Sequence, residues 1–134
     1  MLLVGDIGNT ETKICLISLN KKIIKKITFS SKKITNGKLK KNFKKLKLKN
    51  LSLEKCLFCS VVPKTFKMIT KHITRYFKVK CFELKDLKSN KLIKIKVNKK
   101  QIGSDRLANA IGSMNNKDNF IILDFGTATT FDVL

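Results

Sequence analysis

The chain has 134 residues, 43% of them hydrophobic, a size and composition that suit one domain with a real core. Thirty lysines and arginines oppose nine acids for a formal net charge of +21, but only Arg75 and Arg106 are arginines. The charge therefore reads as lysine bias rather than a base-reading surface, which leans on the bidentate fork of arginine, and no apolar run approaches a membrane span. A short apolar start runs straight into Asp6 with no secretory signal, so a cytoplasmic, reducing location is expected for the thiols of Cys15, Cys56, Cys59 and Cys81.

Residues 1–8 predict a first strand, residues 8–10 a turn, and Thr12 to Leu19 a returning strand. Ile23 to Phe29 then completes an antiparallel meander. Thirteen lysines and no acid lie between Lys21 and Lys49, and within them Leu39, Phe43, Leu46 and Leu48 predict a short basic helix over 38–48. Glu54 to Val62 reads as a strand covered on both faces. Cys56 and Cys59 sit three apart on it and so face opposite ways, which disfavours a shared metal. Pro63 opens a helix whose apolar face runs through Phe66, Ile69, Ile73, Tyr76 and Phe77. His72, the only histidine, has no metal or triad partner in view and is expected at the surface or in packing. Val79 to Leu84 predicts a short strand and Leu92 to Val97 a half-exposed one. A closely packed helix follows Gly103-Ser104-Asp105-Arg106 to about Asn116, with Ser104 or Asp105 as its expected cap. A carboxylate at a helix N-terminus also suits a base, and Arg106 beside it suits an anionic substrate group.

One stretch occurs twice. Asp6-Ile7-Gly8-Asn9-Thr10-Glu11-Thr12-Lys13 returns as Asp124-Phe125-Gly126-Thr127-Ala128-Thr129-Thr130-Phe131, each copy after an apolar run that predicts a buried strand. Gly8 and Gly126 are expected to supply permissive backbone for a tight turn whose amides and hydroxyls face one anion. Asp6, Asp105 and Asp124 thus stand at ends of elements, where they can hold cations and a base for phosphoryl transfer. Neither a Walker-type loop nor G-x-G-x-x-G occurs. The second copy begins near the end, so residues 1–117 read as one domain and 118–134 as the opening hairpin of a second, truncated one.

Paired turns of this kind resemble the actin and sugar-kinase superfamily. The chain further resembles the type III pantothenate kinases through Asp6-Ile7-Gly8-Asn9-Thr10, Ser60-Val61-Val62-Pro63, Gly103-Ser104-Asp105-Arg106 and Asp124-Phe125-Gly126-Thr127-Ala128-Thr129-Thr130. The resemblance implies an α/β, ribonuclease H-like (actin-like ATPase) domain with a mixed sheet and flanking helices, plus the first hairpin of a similar domain. It implies ATP-dependent phosphorylation of pantothenate to 4'-phosphopantothenate, the first step of coenzyme A biosynthesis, by a cytoplasmic homodimer. By position, Asp6 to Lys13 match the ATP-phosphate segment, with Asp6 near Mg2+, and Thr127 matches a second ATP contact. Gly103, Ser104, Asp105 and Arg106 match the pantothenate site, with Asp105 as general base. Asp124 matches the ligand of a monovalent cation, K+ or NH4+. Two departures stand out: Lys96, Val97, Asn98 and Lys99 occupy the place of a Tyr-Asp-Asn-Pro-like run that lines the pantothenate pocket, and family members are much longer. The alternative reading is a non-catalytic kinase-like module that binds a polyanion or regulates.

Overall fold

The computed structural model describes residues 1–48, 51–87, 93–98, 101–114, 118–126 and 128–134. Alternation of apolar side chains sets the first three strands. β1 (Leu2–Ile7) pairs antiparallel with β2 (Glu11–Ile17), which pairs antiparallel with β3 (Ile23–Ser30). α1 (Asn36–Lys45) then leads to β4 (Lys55–Ser60), which lies parallel to β1. α2 (Pro63–Phe77) leads to the short β5 (Cys81–Glu83), parallel to β4. The result is a mixed α/β fold with a five-stranded sheet of order β3-β2-β1-β4-β5.

The two-residue period of a strand divides this sheet chemically. Leu3 and Ile7 of β1, Thr12, Ile14 and Leu16 of β2, and Cys56 and Phe58 of β4 are all buried on one face, with Leu39 and Phe43 of α1 and Ile69 and Ile73 of α2. Gly5 belongs to the same face, where an added Cβ would stand 2.5 Å from two ring carbons of Phe58. Glycine there lets the aromatic ring lie flat on the sheet. The opposite face carries Asp6, Lys13 and Cys59, which the register sets side by side on β1, β2 and β4. The core thus lies under α1 and α2, and the chemistry lies on the other side.

Local signals set the helix ends. Thr35 caps α1, its hydroxyl accepting from Lys38 N at 3.3 Å, and Pro63 occupies the first turn of α2, where its missing N–H costs nothing. Lys21, Lys33, Lys47 and Lys78 take positive φ values of 60, 52, 51 and 57°, each at a reversal of the chain, and Lys78 ends α2. No described helix is long and apolar enough to cross a membrane.

Three expectations are corrected. Of the strand expected over Leu92 to Val97, Leu92 lies outside the described residues and 93–97 form no strand. Ile93 and Ile95 are half-buried and Lys94 and Lys96 exposed, but no described strand pairs with them. α3 (Ser104–Ser113) has Gly103, not Ser104 or Asp105, at its cap position, the Ser104 hydroxyl reaching a distant acid while Asp105 holds the Arg106 N–H within the first turn. β6 (Ile121–Phe125) and β7 (Thr129–Val133) form a separate two-stranded ribbon, and the strand before Asp124 is not buried. Ile121, Leu123, Phe125, Phe131 and Val133 bare one face of that ribbon, at 49–79% exposure, because no described element covers it. Its other face carries Asp124 and Asp132 and meets α3.

Candidate active site

Asp6 is the next-to-last residue of β1 and Asp124 the next-to-last of β6. Asp6 faces away from the core because Leu3 and Ile7 face into it. The Cys59 thiol donates to Asp6 Oδ1 at 3.5 Å and also approaches the Gly5 carbonyl at 3.7 Å. Partial burial raises the Asp6 pKa above its ordinary 3.8, the Cys59 bond and Lys13 work against that rise, and the charges of Asp105 and Asp124 add to it. The charges of two acids from distant parts of the chain thus reach Asp6. Burial, followed by the negative charge of Asp6, pushes the Cys59 thiol up to about 12, so it remains a protonated donor at neutral pH.

The start of α3 is fixed by an acid that the motif reading passes over. Glu83, at the end of β5, accepts from Ser60 N at 3.3 Å and from the buried Ser104 hydroxyl, while its other oxygen accepts from Lys85 N at 2.8 Å. It ties the end of β4 to the first turn of α3. Among nine acids in so basic a chain, an acid closing a strand was the available signal. Next to this bracket, Asp105 Oδ1 accepts from Arg106 N at 2.8 Å. A Cβ on Gly103 would overlap that oxygen, so the glycine leaves the room in which the carboxylate sits.

α3 also holds the ribbon. Asn109 Nδ2 donates to Asp124 Oδ2 at 2.9 Å. Three residues earlier on the same helix face, Arg106 forks onto Asp132, with Nε donating at 2.8 and 3.1 Å and Nη2 donating to the same carboxylate. Arg106 Nη2 further donates to the Phe131 carbonyl at 3.3 Å. The arginine expected on an anionic group is thus engaged by an internal carboxylate, and the Asp132 bond raises its pKa. Neither Asn109 nor Asp132 belongs to the motifs singled out from sequence.

The remaining site residues divide by strand alternation. Ile7 and Thr12 face the core, and the Thr12 hydroxyl lies 2.8 Å from that of Ser31, so neither side chain reaches the acidic group. Lys13 shares the Asp6 face, its Nζ 4.0 Å from Glu11. Asn9 and Thr10 are exposed at the turn, which the Gly8 N–H closes on the Glu11 carbonyl at 3.0 Å. Neither Gly8 nor Gly126 has positive φ, so permissive backbone is not their role. At Gly8 a Cβ would come 3.1 Å from Glu11 O, and close approach is the reason for glycine. Gly126 N–H donates to Ala128 O at 3.2 Å, and Thr127 lies outside the described residues. Thr130 stands directly across the ribbon from Asp124.

Among the described residues no three His, Cys, Asp or Glu side chains are grouped to hold a metal ion. Asp6, whose charge Lys13 offsets, offers one carboxylate of the kind a magnesium ion takes, an ion typically held by one or two protein carboxylates with phosphate and water completing its shell. His72 is a packing residue as expected, its ring 4.9 Å from that of Phe43 and 4.6 Å from that of Tyr76. Cys56 and Cys59 do face opposite ways: Cys56 pairs in register with Cys81, and all four thiols are free.

The sequence model of the family described as type III pantothenate kinase matches residues 2–134. A relative from Pelagibacter ubique named type III pantothenate kinase is 64% identical over 134 residues, which cover all of this chain and 54% of that protein. Relatives of the same name from Desulforapulum autotrophicum and Thermus thermophilus are 33% identical over 140 residues and 34% over 141, again covering all of this chain and 53% and 55% of theirs. The chain spans about half the length of the curated relatives it matches. With a family match that runs from residue 2 to residue 134 and a 64% identical relative of that name, the chain belongs to the type III pantothenate kinase family.

Proposed function

We propose that this chain supplies half of an active site that phosphorylates the primary hydroxyl of pantothenate with ATP, giving 4'-phosphopantothenate for coenzyme A biosynthesis. The observation that carries the reading is that the charges of Asp105 and Asp124, 99 and 118 residues further along the sequence, reach the half-buried carboxylate of Asp6. Asp105 takes the proton of the hydroxyl, whose oxygen attacks the γ-phosphorus as the bond to the departing ADP oxygen breaks. Asp6 holds magnesium, which when bound neutralises phosphate charge. The turn from Asp6 to Lys13 lies along the phosphates, with Lys13 as the positive side chain on the Asp6 face, and Thr127 provides a second ATP contact. Asp124, steadied by Asn109, holds potassium or ammonium. Gly103, Ser104, Asp105 and Arg106 surround pantothenate, whose carboxylate competes with Asp132 for the guanidinium. In the same reading residues 1–117 are a ribonuclease H-like domain, 118–134 open a second one, and the whole protein is a cytoplasmic homodimer.

The test joins residues 1–134 to the remaining half of the Pelagibacter ubique relative. ADP release is expected only with both ATP and pantothenate, and Asp105→Asn lowers it by about 100-fold or more, the usual worth of a general base. Normal turnover by that variant removes Asp105 from the role.

A further inference from the structure

α2 carries a second stripe beside its core face, half-buried at Met68 and His72 and exposed at Lys71, Arg75 and Tyr76. Met68, Lys71, His72, Arg75 and Tyr76 follow the spacing of one helix face, and with the first turns of α1 they enclose a groove of about 420 Å³ that Lys40 also lines. The volume suits a small ligand. Two rings line it: those of His72 and Tyr76 lie 4.6 Å apart, His72 backed by the core ring of Phe43 at 4.9 Å, and Tyr76 remains 53% exposed. Its rim is cationic. Lys40, Lys71 and Arg75 are exposed, and none meets a carboxylate among the described residues. Burial, and then the charge of Lys40, lower the His72 pKa, so the imidazole presents a neutral ring at physiological pH.

Lysine bias accounts for Lys40 and Lys71 but not for their company. Arg75 is one of two arginines in the chain and Tyr76 its only tyrosine, and the guanidinium lies 5.7 Å from the centre of that ring. The other arginine is engaged by Asp132. An exposed ring beside three cations without acidic partners is complementary to a planar base joined to a phosphate, because the ring offers stacking and the cations offer charge. We propose that this groove binds a nucleoside phosphate, its base against the exposed part of the Tyr76 ring and its phosphate among Lys40, Lys71 and Arg75. The groove shares no residue with the acidic cluster, so its occupancy is separable from phosphoryl transfer.

With one tyrosine and no tryptophan, the intrinsic fluorescence of the 134-residue chain reports Tyr76 alone. Titration with AMP is expected to give saturable quenching, about tenfold or more tighter than adenosine or ribose 5-phosphate, each of which offers half of the recognised chemistry. Lys71→Glu with Arg75→Glu leaves Tyr76 in place and weakens AMP by about tenfold or more, and Lys40→Glu, a separate exposed position, weakens it in the same direction. Asp6→Asn leaves it unchanged. The proposal is overturned by absence of saturation at millimolar AMP, by equal affinity for ribose 5-phosphate, by AMP affinity unchanged in the charge-reversed proteins, or by saturation with single-stranded oligoadenylate alone, which marks a nucleic-acid surface.

Discussion

Gly103→Ala isolates the placement of Asp105 from everything around it. The backbone at Gly103 has φ −66° and ψ 150°, which alanine adopts without strain, so the substitution acts through its methyl group. That carbon would stand 3.4 Å from Asp105 Cγ and 3.6 Å from Val61 Cγ1 while overlapping Asp105 Oδ1. The carboxylate must swing by about 1 Å and give up the Arg106 N–H, a displacement that costs up to about 100-fold in a positioned catalytic group. Stability changes far less. One part-buried hydrogen bond is worth about 1 kcal/mol, or about 4 °C of Tm in a chain of this size. Gly112→Ala serves as the control, since nothing lies within 4 Å of its added Cβ, and it should gain up to about 1 kcal/mol with unchanged turnover. The assay is pantothenate-dependent ADP release by the chimera, beside the Arg106 amide resonance of the 134-residue chain. Turnover within a few-fold of the parent, or an unmoved Arg106 amide, would refute the reasoning.

Two further outcomes follow from the same geometry. The folded-state pKa of Asp6 is raised above its ordinary 3.8, so the folded chain keeps that proton longer than the unfolded chain, and ionisation costs stability as pH rises above 3.8. Asp6→Asn should therefore raise Tm at pH 7, lose the gain below about pH 3, and abolish turnover in the chimera; equal destabilisation at both pH values contradicts this. Asp132→Asn weakens the fork that binds the ribbon to α3, a loss of about 1 kcal/mol at a partly exposed pair. Amide exchange in β6 and β7 should quicken by about fivefold with the five-stranded sheet unaffected, and slowed or uniform exchange would assign the hold to other contacts.

Elements with a strong period were legible. The meander follows from alternation, α2 from its helical spacing and opening proline, and Asp6 stands near the end of its strand as its place after an apolar run implies. The run from Ile93 to Val97 shows the limit, because alternation reports which side chains turn inward but a strand also needs a neighbour to pair with. The cap of α3 was misread for a related reason. Ser104 and Asp105 are good caps in isolation, yet Glu83 takes the serine hydroxyl and the backbone of Arg106 takes the aspartate. Asn109 and Asp132 were invisible because each acts through a partner 15 or 26 residues away, a separation no local pattern encodes, and Glu83 offered only its place at a strand end. The convergence of Asp6 and Asp105 needed the parallel pairing of β1 with β4 to bring distant turns to one edge.

The four lysines in left-handed backbone carry a consequence for the whole charge of the molecule. Lys21, Lys33, Lys47 and Lys78 fill reversals where glycine or asparagine ordinarily stands, and the Cβ of an L-residue strains the backbone there by about 1 kcal/mol each. Lysine enrichment has thus entered the turns as well as the surface. Replacing these four with asparagine would reduce the +21 charge by four and relax the chain at the same positions, so electrostatic self-repulsion and torsional strain would fall together.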